Sequence, residues 1–175
     1  MDGYVEEYWL MQTEPGVVMP FYFLKPGKGE QMGCPLVLNP HGHGGGKEKV
    51  YREGFAVELA RGGYCVACPD ERGSGERREQ WQQGEEEEKM RMNSHREIQQ
   101  MILGFGQCMI GLAIWDLMRL LDEVTGWDCV DKERIACAGM SGGGQQTLWL
   151  TAMDDRIKAA ITSGYFYGFQ DSLVS

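Results

Sequence analysis

Ser141 stands in Gly139-Met140-Ser141-Gly142-Gly143, a match to G-x-S-x-G. Where that string joins a buried strand to a helix, the flanking glycines let the chain turn sharply and hold the serine in a strained backbone. Its hydroxyl then projects above the sheet at the positive end of the helix dipole. Such a hydroxyl can attack a carbonyl carbon while the N–H of Gly142 faces the oxygen that turns negative. The plainer role is a helix cap, in which the serine only satisfies a free N–H.

A second stretch, "HGHGGG" over residues 41–46, suits phosphate binding, metal ligation, or donation of bare N–H groups to some other negative charge. A phosphate loop needs G-x-x-x-x-G-K-[ST], but His41 stands five places before Gly46, and Lys47 is followed by Glu48. A dinucleotide fingerprint begun at Gly42 meets Lys47 in its last place, and one begun at Gly104 meets Met109. Zinc on His41 and His43 would need further ligands, and the remaining histidine is His95, in a polar stretch. No metal and no cofactor are therefore expected. The N–H reading remains, with Gly142 on one side and His43-Gly44 on the other; the His41 side chain is expected to brace the loop rather than react.

These turns need elements to hold them. "EEYWLMQT" and "VVMPFYFLKP", separated by Glu14-Pro15-Gly16, predict a β-hairpin. "PLVLNP", "YCVACPD", "RIACAGM" and "IKAAITSGYF" predict strands, the first three as continuous apolar runs of the kind buried on both faces of a parallel sheet. Between them, helical spacing runs from Val50 to Arg61, from Met101 to Val124, and from Gly142 to Met153. Alternating strands and helices predict a mostly parallel sheet with right-handed crossovers. "ERGSGERREQWQQGEEEEKMRMNSHRE" reads as a polar excursion whose acidic run is a solvated face.

With 175 residues, 42% hydrophobic and 25% charged, the chain has the size and composition of one folded domain. A net charge of −9 disfavours nucleic acid and anionic membranes as partners. The sequence carries no apolar run long enough to span a bilayer, and "MDGYVEEYWLMQ" has no leader pattern, so a cytoplasmic location is expected. The six cysteines lie mostly in apolar runs and read as reduced core residues; Cys65 and Cys68, three apart on a strand, should face opposite ways.

Five ordered blocks, "PLVLNPHGHGGGKE", "GYCVACPDERGSGERRE", "GLAIWDLMRLLDEV", "VDKERIACAGMSGGG" and "DDRIKAAITSGYF", resemble the α/β-hydrolase fold. The branch is that of dienelactone-hydrolase-like and acetyl-xylan-esterase-like serine esterases, and the likeness runs from about Tyr4 onward. It implies a three-layer α/β architecture that starts with an antiparallel hairpin and lacks the last strands: one domain over residues 1–175, incomplete at its C-terminus. It also implies Ser141 as nucleophile and His43, Gly44 and Gly142 around the oxyanion. Asp70-Glu71-Arg72-Gly73 falls in the D-x-R-G position, where Arg72 supports active-site loops through ion pairs; from the residues alone, a surface charge is equally open. The implied chemistry is cleavage of acetyl or other small acyl esters, with a small-molecule ester as partner.

In this fold an acid and then a histidine follow the nucleophile. After Ser141 there is no histidine, and the remaining acids are Asp154, Asp155 and Asp171. Three expectations cover the gap. The chain is the N-terminal part of a longer esterase; or it recruits His43, His95 or a dimer partner; or it is a non-catalytic binding or assembly module. An exposed sheet edge would favour homo-oligomers.

Overall fold

The computed structural model describes residues 3–27, 32–41, 45–79 and 94–166. Strands β1 (Tyr4–Glu14) and β2 (Val17–Pro26) form the expected hairpin. There follow β3 (Cys34–Leu38), α1 (Gly46–Glu53), α2 (Ala56–Arg61) and β4 (Cys65–Pro69). After a 3₁₀ turn at Gly75–Arg77 come α3 (His95–Leu103), α4 (Met109–Val124), β5 (Val130–Met140), α5 (Gly142–Met153) and β6 (Ile157–Ser163). The sheet order is β1-β2-β4-β3-β5-β6. The hairpin joins β4 antiparallel, and β4, β3, β5 and β6 run parallel. The turns after β3, β4 and β5 therefore gather at the carboxyl end of one parallel set, where open α/β sheets place their ligands.

Strand alternation divides the core in two. Phe21, Phe23, Leu36, Leu38, Cys65 and Ala67 pack under Leu117, Leu120 and Leu121 of α4 and Leu150 of α5. Leu24, Val66 and Cys68 point the other way, toward Ala56 and Ala60 of α2. Cys65 and Cys68 thus fall on opposite faces, as two residues three apart on a strand must. Burial pushes the Cys68 thiol up to about 12, so both its position and its chemistry make it a packing residue.

Two helices expected to be continuous are broken. The Val50–Arg61 pattern divides at Gly54, which is extended and returns its N–H to the Val50 carbonyl. The Met101–Val124 pattern divides at Gly104-Phe105-Gly106, where Gly106 has φ +71°. At Gly54 apolar periodicity carried across the gap because Val50 and Tyr51 before it and Ala56 and Ala60 beyond it pack in the same core, while backbone turn geometry stopped the helix; at the second break Met101, Leu103 and Phe105 are exposed, and α3 buries no residue. The acidic run at Glu85–Glu88 lies outside the described residues. No helix among those described is long and apolar enough to cross a membrane.

Candidate active site

The turn from β5 into α5 is built from close backbone approaches. Ser141 has φ 54° and ψ −121°, and among the described residues it is the one non-glycine with positive φ. That conformation costs an L-residue about 1–3 kcal/mol and persists only where the surroundings over-determine it. Here they do. Gly139 lies so near the Gly143 carbonyl that a Cβ would overlap it, and a Cβ on Gly143 would sit 2.9 Å from the Pro40 carbonyl carbon. The Ser141 N–H donates to the Ser163 carbonyl at 2.8 Å, tying the turn to the end of β6. Ser141 occupies the N-cap position of α5 but its side chain makes no capping bond, so the plainer role considered from sequence is absent. The residue is partly exposed, at the helix end where the dipole favours negative charge.

The end of β3 is sewn to this turn by buried side chains. Asn39 Nδ2 donates to the Ala138 carbonyl at 2.7 Å, and Gln146 Nε2, from the second turn of α5, donates to the His41 carbonyl at 2.6 Å. Pro40 and His41 therefore pass directly over the start of the Ser141 helix. His43 and Gly44, expected as donors to an oxyanion, lie outside the described residues; His41, on the entering flank, is held against the start of α5. Next to Met140 a cavity of about 490 Å³ opens, walled in part by Asn39, Pro40, His41, Val50 and Phe55.

The loop after β4 supplies charge. Asp70 is completely buried and ionised: burial alone would raise its pKa, but bonds from His41 and Lys47 outweigh that and hold it below the usual carboxylate range. His41 Nε2 lies 3.4 Å from Asp70 Oδ1 and also 3.4 Å from the Glu71 backbone nitrogen, so the ring sits against the loop after β4. Arg72 grips Asp116 of α4 with two parallel bonds of 2.8 Å and also pairs with Glu14. Arg77 adds a third bond to Asp116 at 2.8 Å.

Glu71 is treated in the opposite way from its neighbour. Burial pushes its carboxyl up to about 8 against the opposing pull of Gln146 and Arg77, and its Oε2 is buried without a hydrogen bond. His95 Nε2 stands 3.0 Å from the Ser74 hydroxyl and 3.5 Å from Glu71 Oε2. Burial lowers its pKa, with the neighbouring His41 acting in the same direction. His95 and His41 are thus occupied with the loop after β4.

Sequence reasoning missed Asp116, Gln146 and Lys47. Asp116 had a signal, being the lone acid within "GLAIWDLM", an apolar helical run. Buried acids of that kind are nearly always paired. Gln146 and Lys47 had none, since their partners are distant in the chain.

A strained strand-to-helix serine at the carboxyl edge of a parallel sheet, with helices on both faces, defines an α/β-hydrolase. The family model of acetyl xylan esterases (AXE1) matches residues 17–170, and the chain belongs to that family. It is similar to YtaP of Bacillus subtilis strain 168, named as a candidate hydrolase: 35% identical over 153 residues, covering 81% of this chain and 46% of YtaP. Among solved structures it is similar to a candidate acetyl xylan esterase from Bacteroides fragilis, with a TM-score of 0.79 and 20% identity, covering 91% of this chain and 44% of that one. A candidate dienelactone hydrolase from Klebsiella pneumoniae gives a TM-score of 0.66 and 19% identity, covering 94% of this chain and 62% of that one. The chain thus spans about half the length of these relatives.

Proposed function

We propose that the protein hydrolyses carboxylic esters of small acyl groups, acetyl esters foremost, through an acyl-enzyme on Ser141. The observation that carries this reading is a serine forced to φ 54° at a helix N-terminus whose hydroxyl makes no cap. That strain is explained by presenting the oxygen to a substrate. Ser141 Oγ attacks the ester carbonyl, and the oxyanion takes N–H bonds from Gly142 and from the turn beyond His41, at His43 and Gly44. His41, Asp70 and Arg72 shape that turn and the loop beside it. The alcohol leaves with a proton, and water then cleaves the acyl-serine.

A relay histidine is still needed. The described histidines, His41 and His95, face Asp70, Glu71 and Ser74, and we place the relay and its acid in the part of the relatives' length that this chain does not span. Whether an aspartate and a histidine are encoded beyond the codon for Ser175 tests that assignment. For the protein as expressed from its own gene, a fluorophosphonate probe should label Ser141, and Ser141→Ala should abolish labelling. A folded protein that resists the probe would instead be a binding or assembly module on this scaffold.

We place the protein in a reducing compartment such as the cytoplasm, a reading supported by six free cysteines, four of them buried. For this chain by itself we also propose self-association through β6. Among the described strands β6 pairs only with β5, and its Ile161 is 68% exposed. Size-exclusion chromatography that returns only monomer would remove that proposal.

A further inference from the structure

Two residues in one wall of the cavity beside Met140 carry polar atoms without partners. Asn39 and His41 stand two apart just past β3, and both line that cavity of about 490 Å³. Asn39 is 1% exposed and His41 4%, and neither Asn39 Oδ1 nor His41 Nδ1 has a hydrogen-bond partner. A buried polar atom left unpaired bears the full penalty of leaving water, so two in one wall call for a reason.

The chemistry of each atom follows from the bonds its own side chain already makes. Asn39 Nδ2 donates to the Ala138 carbonyl at 2.7 Å, which identifies Oδ1 as the unpaired end of the amide and an acceptor only. His41 Nδ1 carries a proton in the tautomer whose Nε2 takes the Glu71 N–H, and also in the charged ring that faces Asp70. It is a donor. One donor and one acceptor are what a hydroxyl group satisfies, accepting from the first and donating to the second.

The rest of the wall selects the body that carries this hydroxyl. Val50, Phe55 and Met140 are apolar, and the last two are exposed. Lys49 and Glu58 add one charge of each sign, so the cavity favours a neutral ligand. Its volume falls in the range of small-molecule sites, about 300–1,000 Å³. We propose that this cavity binds a small neutral alcohol, its hydroxyl between His41 Nδ1 and Asn39 Oδ1 and its apolar body against Val50, Phe55 and Met140. The inference does not rest on the esterase reading, although an alcohol is also what ester cleavage releases.

Benzyl alcohol is the probe, with toluene as the same ring lacking the hydroxyl. Both are titrated into the Ser141→Ala protein, expressed from its own gene with isotope-labelled methionine methyls, so that no chemistry at the serine enters the measurement. The Met140 methyl signal, assigned by its loss in Met140→Leu, should shift saturably with a Kd of about 1 mM, ordinary for so small a ligand. Toluene should bind at least about tenfold more weakly, because it leaves both polar atoms unpaired. Val50→Trp fills the cavity and should abolish the shift while the thermal midpoint holds. Three results overturn the proposal: no saturable shift at Met140, toluene bound as tightly as benzyl alcohol, or a shift that survives Val50→Trp. Should Val50→Trp not fold, Phe55→Ala takes its place and should weaken binding roughly fivefold; unchanged affinity overturns the proposal equally. A serine that resists the fluorophosphonate probe fells the esterase reading and leaves every one of these outcomes as it stands.

Discussion

Between Gly139 and Gly143 the chain turns on contacts of its own backbone: two glycines in near contact, a serine at positive φ, and a helix that begins at once. The flanks of the second turn, Asn39 to His41 on one side and Lys47 on the other, are held by contacts brought from elsewhere, namely Ala138 and Gln146 through hydrogen bonds and Asp70 through charge. The first turn is a steric device and is indifferent to pH within the range where the fold survives. The second depends on which carboxylates are ionised. Asp70 and Glu71, adjacent in sequence, show the contrast within one loop: the charged form of Asp70 is held by Lys47, whereas Glu71 is buried beside weaker compensation and prefers its proton.

The largest expected effect breaks the contact between the two turns. Gly143→Ala should destabilise the fold by about 3 kcal/mol, since backbone at Pro40 and not a yielding side chain blocks the new methyl. Urea unfolding measures it, and a loss under about 1 kcal/mol would mean the turns are less tightly joined than the distances say.

Next in size is the pH response of the second turn. Glu71 binds its proton more tightly folded than unfolded, so stability falls as pH rises from the ordinary carboxylate range through about 8. Asp70 and Asp116, with lowered values, lose their contribution only as pH drops below the ordinary range. The midpoint of unfolding should therefore be highest near pH 5 and decline on either side. Glu71→Gln should gain at least about 2 kcal/mol more stability at pH 8 than at pH 5. Equal gains at both pH values would show that Glu71 is not the titrating group.

The smallest effect isolates local strain. Ser141→Gly should raise stability by about 1 kcal/mol, because glycine adopts φ 54° at little cost, while removing all reaction with the probe. A variant no more stable than the parent would mean that the turn is relaxed around its serine.

Much of this could be read before the structure. The hairpin, the parallel strands, Ser141 at a strand-to-helix turn, and the opposed cysteines follow from period and turn chemistry, which act over a few residues. The two helix breaks at Gly54 and Gly104–Gly106 were harder to see, because apolar residues continue through both in the sequence and mask a change of backbone direction. Of the site residues, Asp70 and Arg72 were singled out only through the resemblance to the family's D-x-R-G position, whereas their partners Lys47 and Asp116 were not singled out at all.

By itself the sequence determined that a serine would be held in a strained bend above a parallel sheet, since steric limits on glycine and on L-residues operate within five adjacent positions. Only the tertiary structure decided which charges meet. Lys47 reaches Asp70, and Arg72 reaches Asp116, across long intervals of chain, and no local rule selects among the 17 basic and 26 acidic residues available. Packing of separate elements brings particular pairs out of water together, and burial then makes those pairings matter.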